Sequence, residues 1–511
     1  MKRSASVFFL LLVFSLRIFS QDALPRSIPE MQGVSSQSII NFLDSTAVDE
    51  NEFHSFMFLR HGKVIAEGWW NPYRADLKHT MYSCSKSFTA TAIGFAVKEG
   101  KLNVTDKVIS FFPDQLPDTV GAFLRDLTVR DLLTMSVGQE PDPTRNIVMD
   151  TNWVRSFLAL PIVHKPGTQF LYNSMATYML SAIVQKVTGQ RTFDYLTTRL
   201  FEPLGIQGID WEVDPKGINT GGWGLRLKTE DMAKFGQLFL QEGRWKKKRI
   251  LPKAWIKEAS TSKILQHPEY SQEKRDSSDW EQGYCYQMWR CKNNAYRADG
   301  AFGQFIIVMP EQDAVIAITS ETRHMQGILD NVWKHLLPGM QKKRMKPNDS
   351  LAQQLKVQLN SLVLPIPGNS NTSDQVEQIS GKVFSVEPND KRVRTISFEF
   401  NDEVCTMVIT NDSTTQRIKF TPLRWNEGET ERPGPYLLSS APSALKGLPP
   451  FKVAGEYNWR DDNKLELVLR YVESPHTETI TCQFEGDSLK FESKVSFNPN
   501  QVNVLNGTAR P

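Results

Sequence analysis

Apolar positions recur along this chain with two different periods, and the change between them divides it. From about residue 105 to 250 the chain reads as helical with many loops, its apolar positions three and four apart, the spacing of helices laid against a core. LTVRDLLTM (127–135), TNWVRSFLALP (151–161), TYMLSAIVQKVTG (177–189), EDMAKFGQLFLQEG (230–243) and PKAWIKEAS (252–260) read this way, and Gly189 stops the third. Before them, SSQSIINFLDSTAV (35–48) has helical spacing, and FHSFMFLR (53–60) with KVIAEGWW (63–70) predicts a hairpin turned at His61-Gly62. MYSCSKSFTATAIGFAVKEGKL (81–102) predicts a helix that begins at or near Ser83 and closes at Gly100. After them, residues 284 to 290 and 302 to 320 read as strands, and GILDNVWKHLL (327–337) as an apolar helix able to pack on their sheet. Strands on both sides of a helical stretch imply one sheet assembled from distant parts of the chain, with a cleft between sheet and helices as the natural place for a site.

Between 340 and 375 the chain turns polar and proline-containing, QKKRMKPNDS and then LPIPGNSNTSD, which reads as a linker. Beyond it the period falls to two. VRTISFEF, CTMVIT, RIKFTP, KLELVLRYV, TITCQFEG and SLKFESKV alternate between Asn, Asp and Gly turns, and predict an antiparallel β domain over 376–511, a barrel or a sandwich. The expected organisation is a signal peptide over 1–20, a first domain over 21–345, a linker over 346–375 and the β domain.

The signal peptide rests on Lys2 and Arg3 followed by VFFLLLVF and then small or polar residues near Ser20. The apolar run is too short for a bilayer span, so export to the periplasm or medium without stable membrane insertion is expected. Cleavage near Ser20 removes three basic residues and leaves a formally neutral chain with no electrostatic footprint for nucleic acid. The run KKKR (246–249) reads as a solvated turn. Five cysteines are too few for a disulfide scaffold; Cys285 and Cys291 can face each other across a bend or remain a reduced pair, and Cys84 reads as a packing residue. The eight histidines show no metal-ligand spacing, so no metal or other cofactor is expected. Composition leaves oligomeric state open.

The sharpest chemical signal is Ser83-Cys84-Ser85-Lys86 at the start of a helix. Positions three apart share a face, so the lysine amine lies beside the serine hydroxyl. Serine is a weak nucleophile until a neighbour accepts its proton, and lysine can accept one only where burial and a helix N-terminus lower its pKa. By itself this short pattern also fits a helix cap with an exposed lysine. Its context is more specific. KPGTQFLYNS places Tyr172 and Ser174 in the turn before a helix, and YRADGAFGQF places Asp299, Gly300 and Ala301 before or on an edge strand.

Together with TGGWGLRLKTEDMAKFGQLFL, these stretches make residues 30 to 340 resemble the serine β-lactamase and penicillin-binding family, in its class C β-lactamase, D-alanyl-D-alanine peptidase and esterase-like branch. The resemblance implies an α/β fold: a β-lactamase-like antiparallel sheet flanked by helices, with an inserted helical region, here followed by the C-terminal β domain. It further implies a covalent acyl-enzyme at Ser83, activation by Lys86, and Tyr172 as partner in proton transfer. Ser174 stands where most relatives carry asparagine. Ala298-Asp299-Gly300 stands where they carry Lys-Thr-Gly or His-x-Gly, and Ala301 would supply the second oxyanion N–H beside that of Ser83.

The third motif therefore lacks the cation that holds a carboxylate in penicillins and D-alanyl peptides, and Asp299, if it faced the cleft, would repel an anion. Arg297 would offset this only if it faced the same way. Hydrolysis of an ester, amide or lactam carbonyl in a small-molecule or peptide substrate is the expected activity, and a catalytically silent binding or sensor protein is the alternative. Trp223 reads either as an aromatic wall of the cleft or as a packing residue, His164 as a surface residue, and Glu230 and Asp231 as first-turn acids of a helix.

Overall fold

The computed structural model describes residues 23–48, 51–366, 372–448 and 450–509. The expected signal peptide lies outside the described residues. Among them no helix is long and apolar enough to cross a membrane.

The first sheet has six antiparallel strands: β1 (Glu52–Arg60), β2 (Lys63–Trp69), β3 (Trp289–Arg290), β4 (Tyr296–Gly300), β5 (Gln304–Met309) and β6 (Ala314–Glu321), in the order β2-β1-β6-β5-β4-β3. The N-terminal hairpin thus pairs with the last strand of the unit, through Phe56 opposite Ile318 and Phe58 opposite Ile316. Its turn is the expected one, with His61 and Gly62 both at positive φ. Both faces of the sheet are covered, which is why its central strands read as unbroken apolar runs. Phe305, Ile307 and Met309 of β5 join one core, with α1 (Ser36–Val48) and α5 (Met325–Asn331). Ile306 and Val308 join the other, with α2 (Ser85–Lys98), α3 (Ser174–Thr188) and α4 (Thr229–Leu240). Glycine brings α4 close: a Cβ on Gly236 would lie 2.5 Å from Val315 Cγ1.

Two sequence expectations are corrected here. Residues 284–288 are not strand; only Trp289–Arg290 pair with β4, and Tyr284 makes isolated bridges, because positive φ at Gly283 and Gln287 turns the chain away from extended geometry. The stretch read as linker contains α6 (Asp349–Asn360). Leu351, Leu355 and Leu359, four apart, carry it onto the α1 side of the core, where Leu355 is buried, and polar neighbours hide that stripe in composition. The remaining residues of the linker include 367–371, outside the described set. KKKR is the expected exposed turn, a two-residue hairpin with Lys246 and Lys247 at positive φ.

The period-two segments form a ten-stranded antiparallel sheet that curls back on itself. Its first and last strands in space, Thr415–Phe420 and Asn426–Thr430, approach through Asn426 Nδ2 donating to the Lys419 carbonyl at 3.2 Å, and Tyr457 N–H reaches the Thr421 carbonyl at 3.2 Å. Of the two expected forms this is the barrel, nearly closed, filled by Phe398, Met407, Phe420, Trp459, Leu467, Phe484 and their neighbours. All five cysteines are free and buried, Cys285 and Cys291 included.

Candidate active site

Ser83 lies in a 3-10 turn, Tyr82–Cys84, that runs directly into α2. Lys86, in the first turn of that helix, has an Nζ 3.0 Å from Ser83 Oγ, 3.0 Å from Ser174 Oγ and 2.7 Å from the Gly222 carbonyl oxygen. The side chain is 1% exposed, and among the described residues no carboxylate forms an ion pair with it. Burial pushes its pKa down to about 7, with Asp142 and Asp299 opposing the shift from a distance. The alternative of a capping turn with an exposed lysine is therefore excluded.

The proton inventory of this nest is informative. A carbonyl oxygen can only accept, and the Ser174 hydroxyl can accept, so a neutral amine places its two N–H bonds there and turns its lone pair to Ser83 O–H. A hydroxyl thus does at position 174 what an acceptor must do, and the departure from asparagine costs the lysine no partner. Asn173, beside it, is the N-cap of α3: its Oδ1 accepts from Met175 and Ala176 N–H, and its Nδ2 donates to Gln139.

Tyr172 hydrogen-bonds Ser83, and its ring stacks on Trp289 at 5.6 Å between centroids. Lys86 Nζ stands 4.9 Å from the ring centre. Burial, reinforced by Asp299, holds the phenol far above its ordinary pKa, so it keeps its proton at neutral pH. Ser83, Lys86, Tyr172 and Ser174 are thus brought together from two helix starts.

The edge strand completes the site. Trp289 pairs with Arg297 and Arg290 with Tyr296, so among the described residues the stretch from Ala298 to Gly300 runs on past β3 as strand edge. Gly300 fits because the Ser83 turn is against it: a Cβ there would lie 2.2 Å from the Met81 carbonyl and 3.3 Å from Cys84 N. Ala301 follows, partly buried beside the same turn. Cys84 packs as expected, its Sγ 3.1 Å from the Gln304 carbonyl.

Asp299 departs from the picture of a carboxylate repelling anions. Positions 297 and 299 share a strand face, and the fully buried Arg297 holds Asp299 Oδ2 through Nε at 3.0 Å and Nη2 at 2.9 Å. Arg297 also donates to the Asp279 and Arg290 carbonyls and lies 4.3 Å from the Trp280 ring. The pair is internally neutral. Of the two readings of Trp223 the structure favours packing: at 3% exposure it lies against Trp153 at 5.8 Å between ring centroids, within the core. The residue that counts in this loop is Gly222, whose carbonyl holds Lys86. Nothing in the residue type announces that role.

Among the remaining candidates, His164 is a partly exposed residue bonded to Glu140. Glu230 pairs with Arg26, and Asp231 is buried, its carboxylate accepting from Lys228 N–H.

The family model of the β-lactamases matches residues 54–336, more than half of the chain, and the chain belongs to that family. A 6-aminohexanoate-dimer hydrolase from Paenarthrobacter ureafaciens is 24% identical over 338 residues, 61% of this chain and 81% of that protein. Protein flp of Staphylococcus aureus is 28% identical over 167 residues, so the chain matches about a third of that relative's length (33%) and 30% of its own. Among solved structures, a penicillin-binding protein homolog from Caulobacter crescentus superposes with a TM-score of 0.48 at 15% identity, covering 59% of this chain and 97% of the other.

Proposed function

We propose that this protein is an exported serine hydrolase that opens an ester or amide carbonyl through a covalent acyl-enzyme at Ser83. The observation that carries the reading is the buried Lys86 amine, 3.0 Å from Ser83 Oγ with its pKa down to about 7. An ammonium at that position would be useless as a base. An amine near half-deprotonation at neutral pH accepts the serine proton as Oγ attacks.

In the first step Ser83 Oγ bonds to the carbonyl carbon, its proton passes to Lys86 Nζ, and the carbonyl oxygen becomes an oxyanion facing the N–H groups of Ser83 and Ala301. Collapse expels the alcohol or amine, which takes a proton from the Tyr172 hydroxyl, and the Lys86 ammonium beside it returns the proton it took from Ser83 to the phenolate oxygen. Water then repeats the attack on the acyl carbon and frees the acid. The base is the lysine; the tyrosine, whose proton is held tightly, relays.

On substrate, the site offers no free cation among the described residues where relatives bind a carboxylate, because Arg297 is held by Asp299. Esters and amides without a carboxylate at that place fit it better than penicillins; a relative is named a 6-aminohexanoate-dimer hydrolase, and the bond that joins such a dimer is an amide. The test is labelling of the full-length protein by a fluorophosphonate, followed by a panel of p-nitrophenyl esters, D-amino-acid amides and a chromogenic cephalosporin. Labelling and turnover of the esters or amides, both lost in Ser83→Ala, are expected. A folded protein that takes no label is a binding protein and overturns the reading.

A further inference from the structure

The barrel reaches into the other domain through His476, in the turn before its strand Thr477–Glu485. The imidazole is fully buried. Its Nδ1 lies 2.7 Å from Glu321 Oε1, on the last residue of β6, and its Nε2 lies 2.6 Å from the Tyr82 hydroxyl. A carboxylate can only accept, so Nδ1 carries the hydrogen and Nε2 accepts from the tyrosine. Ser496, also of the barrel, donates to the same Glu321 oxygen at 2.7 Å. The face of the imidazole is occupied too. Phe302 meets it edge-on at 4.8 Å, Phe497 of the barrel lies 4.5 Å away, and Phe302 meets Tyr82 at 5.6 Å.

Tyr82 immediately precedes Ser83, and Phe302 immediately follows Ala301. Both have left-handed backbones, φ 44° and 67°. Residues with side chains hold that conformation only where the surroundings impose it, and here both residues lie against the same imidazole. Tyr436 of the barrel adds a stacked ring on Tyr82 at 5.8 Å.

We propose that His476 is a positioning residue for the acyl-transfer site: through Tyr82 and Phe302 it sets the backbone on either side of the oxyanion position, so the barrel is a working part of the hydrolase and not a spacer. This rests on the acyl-enzyme reading above. It touches no substrate, and its effect runs through the orientation of the Ser83 and Ala301 N–H groups, which act on the transition state.

The experiment measures fluorophosphonate labelling rate, and kcat and KM for p-nitrophenyl acetate, on the full chain as wild type and as Ser83→Ala, His476→Ala, His476→Gln and Tyr82→Phe. His476→Ala is expected to lose about ten- to a hundred-fold in kcat and labelling rate with KM within a factor of about two. His476→Gln, whose amide can accept from Tyr82 and donate to Glu321, is expected to recover most of it. Tyr82→Phe keeps the ring and is expected to lose about tenfold, which decides the matter if His476→Ala does not fold. Wild-type rates in His476→Ala or Tyr82→Phe overturn the proposal, as does a loss that glutamine fails to restore. Labelling that Ser83→Ala retains overturns the acyl-enzyme at Ser83 and this role with it, whereas Ser83-dependent labelling with an indifferent His476 overturns this role alone.

Discussion

Two cations are buried on either side of the same strand edge, Lys86 at 1% exposure and Arg297 at 0%, and they have opposite fates. Desolvation acts on both. Around Lys86 the partners are two hydroxyls and a carbonyl, which stabilise an ammonium only weakly, and the pKa falls to about 7. Around Arg297 they include the Asp299 carboxylate, and a guanidinium cannot be deprotonated in a protein, so the charge stays. Burial alone therefore does not make a base. Burial among neutral acceptors does, and burial beside a carboxylate makes a fixed ion pair that holds a strand edge in shape.

The contrast is broken most severely by Lys86→Met, which removes the base and the desolvated amine at once. Turnover of p-nitrophenyl esters is expected to fall about 10²- to 10⁴-fold. Stability should move the other way. The folded pKa lies below the unfolded 10.5, so the wild type carries a penalty that is complete below pH 7 and fades as pH rises to about 10.5. The methionine variant should therefore be more stable by a few kcal/mol at pH 6, at about 1.4 kcal/mol per unit of pKa, with the gain gone by pH 10.5 in urea titrations.

Asp299→Asn attacks the other cation by leaving Arg297 buried without its carboxylate. A loss of about 3 kcal/mol is expected in urea unfolding, the low end for a broken buried pair because the two carbonyl acceptors of Arg297 remain. The same change removes a charge that favours protonated Lys86, so the acid limb of activity should move to lower pH. A limb that stays in place would show that Lys86 does not sense the Asp299 carboxylate.

In the wild type that limb is itself a test of the lysine. Activity needs the deprotonated amine, so kcat/KM should rise with pH, reach half its plateau near pH 7, and drop about tenfold per pH unit below it. A profile flat from pH 5 to 8 would assign the base elsewhere. The smallest change expected is in Ser174→Ala, which takes one acceptor from the amine while the Gly222 carbonyl remains. A loss of about threefold to tenfold in kcat corresponds to one hydrogen bond and should leave the fold intact by circular dichroism.

The legible parts of this molecule are those with a local cause. Helix spacing, the His61-Gly62 turn and the stop at Gly189 depend on neighbours within a few residues, and so does the approach of Lys86 to Ser83 across one helical turn. The approach of Ser174 and Tyr172 to that pair could be inferred only from resemblance, since nothing in the intervening sequence places α3 beside α2. The helix over Asp349–Asn360 had a leucine stripe to show but was masked by its polar composition. The Arg297–Asp299 pair had a signal as well, two opposite charges on one strand face, although their burial did not.

By itself, the sequence determined the pairing of Ser83 with Lys86 across one helical turn, the stopping and starting of most helices, and a β domain of alternating strands, because each of these is set by side-chain period or by contacts one turn away. Only the tertiary structure decided that Gly222 offers its carbonyl to the amine, that Asp299 is neutralised, that Trp223 is core, and that His476 stands behind Tyr82. The contacts of Gly222 with Lys86 and of His476 with Tyr82 join residues 136 and 394 positions apart, and their physical cause is the fold's burial of polar groups, each of which had to find its partner wherever the packing left one.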